Sequence, residues 1–214
     1  MSLLIFDLDG TLIDSRLDLA HAVNATRAEM GKGELPHDLI FSYVGNGAPV
    51  LIRKAMGPEA SDAEVKQALE FFLGYYRDHA VDATVLYPGV RESLDRLHAA
   101  GMQLAVLTNK PVRISEAIMK HFALDAMLFR TYGGNSFEQK KPHPMGIDTL
   151  RAEAGVTAEE TWMVGDSIVD MQTARNAGVL SCGVTYGFQP ETLQQCPPDL
   201  LVDRMEDFAT HVLG

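Results

Sequence analysis

The sequence predicts an α/β protein: a Rossmann-like, doubly wound, mostly parallel sheet with an inserted all-helical cap domain. Three observations predict it. Apolar runs of strand length alternate with helix-period segments along most of the 214 residues, the pattern of a parallel sheet covered by helices on both faces. Residues 15–84 break that alternation, showing helical periodicity and no convincing strand. Polar residues follow directly on several apolar runs, at the strand ends where open parallel sheets carry their ligand sites.

The elements follow in chain order. Leu3 to Leu8 is the first strand, running straight into Asp7-Leu8-Asp9-Gly10-Thr11. In the insert, Leu19, Val23, Thr26 and Met30 share one helical face, Gly31, Gly33 and Pro36 interrupt, and helices follow at Ala48 to Met56 and Ala63 to His79. The edges of the insert are Asp14-Ser15 and the turn-like Tyr87-Pro88-Gly89, so the expected domains are a catalytic core of residues 1–14 and 85–214 and a cap of residues 15–84. Val90, Leu94 and Leu97 fall at i, i+4 and i+7, and Gly101 is placed to stop that helix. Leu104 to Leu107 is a strand, and Ile114, Ile118 and Phe122 repeat with helical spacing. Met127 to Tyr132 is a weaker strand, and Ile147, Leu150 and Ala154 form a helix before Gly155. Thr161 to Val164, Val179 to Thr185 and Leu200 to Val202 complete the strands.

Composition narrows the function. Apolar residues are 46% and charged residues 22% of the chain, the balance of a globular protein. The net charge of −11, from 29 acidic against 18 basic residues, comes with no basic cluster and argues against a nucleic-acid partner. Cys182 and Cys196 are the only cysteines and have no zinc spacing, which fits a reducing, cytoplasmic location. No basic leader precedes the first apolar run, which Asp7 interrupts, and no run has the length of a membrane span.

The strand ends carry the chemistry. Asp7 ends the first strand, Thr108-Asn109 ends Leu104 to Leu107, and Asp166 follows Thr161 to Val164 through Gly165, with Asp170 four residues later. Lys141, in Lys140-Lys141-Pro142, lies in the loop after the weaker strand. Carboxylates gathered on one sheet edge need a cation, and oxygen ligands without His or Cys favour Mg²⁺. Residues two apart in a strand point the same way, so Asp7 and Asp9 can face one group.

In this order, DLDGT, TN, KKP and GDSIVD resemble the motif set of the haloacid dehalogenase superfamily of phosphohydrolases, from Phe6 to Asp170. Val44-Gly45-Asn46-Gly47, Tyr87-Pro88-Gly89-Val90 and Thr108-Asn109-Lys110-Pro111 resemble its phosphoglycolate phosphatase branch, which has a helical cap. The resemblance implies a Mg²⁺-dependent phosphatase acting on a small phosphate monoester such as 2-phosphoglycolate through an aspartyl-phosphate. Asp7 is then the nucleophile, and Asp9 protonates the leaving oxygen and later activates water. Lys141 neutralises Asp7 and the phosphate. Gly10, Thr11, Thr108 and Asn109 are expected at the phosphate. Asp7, the carbonyl of Asp9 and Asp166 are expected at the metal, with Asp170 either a ligand or an acceptor holding a metal-bound water. The cap is expected to close over Asp7, with Gly45, Asn46 and Gly47 meeting the distal end of the substrate.

Blander readings exist for each residue. Thr108-Asn109 alone is commonly a turn or cap, Asp170 suits the first turn of a helix, and Gly45-Asn46-Gly47 suits a link between helices. Pyrophosphatase, nucleotidase and phosphosugar mutase activities share these motifs. A phospho-receiver module uses a similar acidic pair, Thr and Lys without turnover, but the insert and the second Asp of DLDG argue against it.

Overall fold

The computed structural model describes residues 2–214. Those residues form two compact units, one made of the chain up to Asp14 with Leu86–Gly214, the other of Ser15–Val85.

The α/β unit is built on a six-stranded sheet. Its strands are β1 (Leu3–Phe6), β4 (Gln103–Leu107), β5 (Leu128–Tyr132), β6 (Thr161–Gly165), β7 (Leu180–Val184) and β8 (Leu200–Val202), in the order β5-β4-β1-β6-β7-β8. Every neighbouring pair is parallel. Helices α5 (Val90–Ala99), α6 (Val112–His121), α7 (Met145–Ala154), α8 (Ile168–Ala177) and α9 (Met205–Leu213) complete the unit. All of β1 is fully buried, because alternate side chains serve opposite faces and both faces are covered. Leu3 and Ile5 pack with Ile147 and Leu150 of α7 and Ala174 of α8, while Phe6 meets Phe208 of α9 edge-on at 6.1 Å.

Two short strands escape the sequence reading, β2 (Ile13–Asp14) and β3 (Val85–Leu86), which pair as a two-stranded sheet. At two residues each, neither carries a readable alternation. β1 is also shorter than expected and ends at Phe6. Beyond it the backbone folds into a turn in which Thr11, Leu12 and Ile13 donate to the carbonyl of Leu8.

The helical unit contains α1 (Arg16–Glu29), α2 (His37–Phe41), α3 (Ala48–Met56) and α4 (Asp62–His79). α4 packs on α1 and α3, burying Leu19, Val23, Leu51, Ile52, Val65, Ala68 and Phe72. Ser61 and Glu64 form a reciprocal capping box at the start of α4, which satisfies two otherwise orphaned donors. The short α2 carries too little periodicity to be read from sequence. Asp18, in the first turn of α1, accepts from the amide of Ala83 at 2.9 Å and from the amide and hydroxyl of Thr84 at 2.8 and 2.7 Å. The first and last turns of the unit are thereby fastened by one buried carboxylate. No helix among the described residues is long and apolar enough to cross a membrane.

Candidate active site

Strand order selects the edge where polar side chains collect. The chain leaves the central β1 for β4 on one side and later crosses to β6 on the other. Such a reversal opens a crevice beyond the carboxyl ends of the strands. Register then sets the depth. Phe6 is level with Val106 of β4 and Val164 of β6, so the residues just past these points, Asp7, Thr108 and Asp166, arrive together.

Lys141 is the centre of the site. Its ammonium donates to Asp170 Oδ1 at 2.6 Å and pairs with Asp7 Oδ1 at 2.8 Å. The side chain is only 2% exposed, whereas Lys140 beside it is exposed. The other Asp170 oxygen accepts from the Ser167 amide and hydroxyl at 3.2 and 2.7 Å. Asp170 therefore closes the start of α8, one of the roles weighed from sequence, and also holds Lys141, a role that was not. Asn109 donates from its side chain to the Lys141 carbonyl at 3.1 Å, so it holds the lysine loop.

Asp166 is fixed from another direction. Its Oδ2 accepts from the amides of Phe188 and Gln189 at 2.6 and 3.3 Å. A Cβ on Gly187 or on Gly10 would overlap the Asp166 carboxylate, so both approaches require glycine. Gly10 also takes φ +85°, the left-handed region.

One carboxylate oxygen from each of Asp7, Asp166 and Asp170 lies within 4.8 Å of the others. Burial pushes Asp7 up from 3.8 to about 6, with the Asp170 charge adding to it and Lys141 opposing. Asp166 rises well above the usual carboxylate range through burial and the charges of Asp170 and Asp7. Burial alone would lower Lys141, but Asp170 and Asp7 hold it up at about 12. Buried acids that raise one another mark a site short of positive charge. An all-oxygen donor set fits a hard divalent cation.

Other expected residues have different surroundings. Thr108 is buried at the edge and its hydroxyl accepts from the Lys110 amide at 3.2 Å. Thr11 is fully buried, and its carbonyl accepts from the Tyr186 hydroxyl at 2.9 Å. Gly45, Asn46 and Gly47 belong to the helical unit, where Gly47 caps the start of α3 and Asn46 is exposed. Sequence reading missed Lys110, whose ammonium donates to both oxygens of Asp9 at 2.8 and 3.1 Å. Its signal was present, a basic residue two positions past Thr108. The amides that hold Asp166 have no side-chain signature at all.

A doubly wound core with an acidic, lysine-bridged strand edge defines a class of α/β enzymes that can hold a metal and a phosphoryl group together. The family model of the haloacid dehalogenase-like hydrolases matches residues 4–184, and the chain belongs to that family. A phosphoglycolate phosphatase of Mannheimia succiniciproducens is 37% identical over 212 residues, spanning 95% of this chain and 93% of its own. The same-named protein of Colwellia psychrerythraea is 38% identical over 211 residues, with the same coverage. The solved structure of a predicted phosphoglycolate phosphatase from Haemophilus somnus superposes with a TM-score of 0.93 at 33% identity, covering 99% of this chain and 98% of its own.

Proposed function

We propose that the protein is a Mg²⁺-dependent phosphatase that hydrolyses a small phosphate monoester, 2-phosphoglycolate foremost, through an aspartyl-phosphate on Asp7. The observation that carries this reading is the Asp7–Lys141–Asp170 arrangement at the strand edge. The names of the relatives support the choice of ester. An Asp7 oxygen attacks phosphorus and the ester oxygen departs. Asp9 gives that oxygen its proton, then takes one from the water that attacks the aspartyl-phosphate, releasing phosphate and restoring Asp7. Lys141 and Thr108 hold the phosphoryl oxygens, since phosphoryl transfer rests mainly on positioning and charge neutralisation. Asp7, Asp166 and the Asp9 carbonyl would hold Mg²⁺, with Asp170 beside them. The ion supplies a Lewis acid for a phosphoryl oxygen. The helical unit, through Gly45-Asn46-Gly47, is assigned to substrate choice.

The test is a screen of small phosphate esters and pyrophosphate with and without Mg²⁺, together with Asp7→Asn. Turnover should require Mg²⁺ and favour 2-phosphoglycolate. The Asp7→Asn protein should keep its fold and lose turnover, because an amide cannot form the acyl phosphate. Turnover like that of the wild type in this variant refutes the nucleophile.

A further inference from the structure

Two carboxylates follow β1 two residues apart, yet they have separate environments. Asp7 joins Asp166 and Asp170 in the group that can hold a cation, and the Asp9 carboxylate is outside that group. The Asp9 carboxylate is instead gripped at both oxygens by Lys110. The lysine side chain is 3% exposed and that of Asp9 14%. The base of this lysine is fixed as well. Its amide donates to Thr108 Oγ1 at 3.2 Å, and its carbonyl accepts from Gly134 at 2.8 Å. A buried ammonium held at both its backbone and its charged end has little freedom, and charge-assisted contacts to both carboxylate oxygens fix the direction of that carboxylate.

We infer that Lys110 is a positioning residue that holds the Asp9 carboxylate away from the metal group and reserves it for proton transfer at the ester oxygen. The inference rests on the proposed phosphatase chemistry. A short flexible carboxylate beside a divalent cation is readily captured as a ligand. The Lys110 contact supplies a competing partner for both oxygens of Asp9. Lys110 touches neither phosphorus nor the leaving group in this scheme, so its influence passes wholly through Asp9.

That last point gives the test. Lys110→Met, Asp9→Asn and the double variant are compared with the wild type on 2-phosphoglycolate and on 4-nitrophenyl phosphate, whose good leaving group needs less proton donation. Mg²⁺ affinity is measured by calorimetry. Lys110→Met should lose about 10- to 100-fold on the alkyl ester, part of the 10²–10⁴-fold due to proton transfer, and clearly less on the aryl ester. Its Mg²⁺ affinity should hold or tighten, since a positive charge has gone and Asp9 is released. The double variant, which buries neither charge alone, should match Asp9→Asn within about threefold, because losses through one shared group do not add. Losses that multiply in the double variant overturn the proposal, and they do so even if Lys110→Met alone fails to fold. Equal losses on both esters with weakened Mg²⁺ binding overturn it too and leave Lys110 a merely structural role. A wild type inert towards every phosphate ester refutes the phosphatase reading itself and this inference with it.

Discussion

Asp7 is held where its negative charge costs the fold. Its carboxyl is raised from 3.8 to about 6, chiefly by burial. A raised carboxyl binds its proton more tightly folded than unfolded, so its contribution to stability is complete below about pH 4 and is lost as pH rises through about 6. Two pKa units correspond to at most about 3 kcal/mol. Asp7→Asn is therefore expected to melt several degrees above the wild type at pH 8 in chelator, with the gap vanishing near pH 4. Divalent cation should close the gap by raising the wild type. A thermal melt at each pH checks this, and a wild type more stable than the variant in chelator at pH 8 defeats it. At this scale much of the site was legible. Asp7, Asp9 and Asp166 could be read because an apolar run that ends in acids has no reason to do so in a core. Lys141 was separable from Lys140 only through the proline that follows. Lys110 was passed over because its value depends on where Asp9 points, and no spacing encodes that.

Loops between elements carry the part of the site that the sequence concealed. The turn after β7 delivers two amides to Asp166, 22 and 23 residues away along the chain. Gly187 lets that turn approach, and a methyl group there would overlap Asp166. Gly187→Ala should push the turn outward, leave the sheet intact and weaken Mg²⁺ binding about 10- to 100-fold, the usual effect of losing the donors that orient a ligand. A calorimetric titration with Mg²⁺ measures it, and unchanged affinity would show that the amides do not matter. Buried strands such as β1 and β6 were legible because both their faces are apolar. The edge strand β5 read weakly because its residues are only partly covered. α9 went unread although Met205, Phe208, Ala209 and Val212 follow helical spacing, and its buried face lies against the sheet core through Phe208.

Across the whole molecule, one unit carries the proposed chemistry and the other is assigned to the choice of ester. If so, Asn46→Ala should lower kcat/KM for 2-phosphoglycolate more than for an aryl phosphate, since binding energy from a remote group can act on the chemical step. Parallel assays on the two esters check it, and equal proportional losses would remove Asn46 from substrate choice. The insertion was legible because seventy-odd residues without strand pattern, about the size of a small domain, cannot be a loop. Its α2 was not, being too short to show a period. The Asp18 fastening makes this insertion portable. Closing a loop costs entropy that grows with its length, but here the helices carry their own clasp, so a host receiving them need not supply the closure. Moved between two neighbouring strands of another protein, the segment would bring that clasp with it. Asp18→Ala would remove that clasp and leave the packing of α1 against α4 alone to hold the ends together.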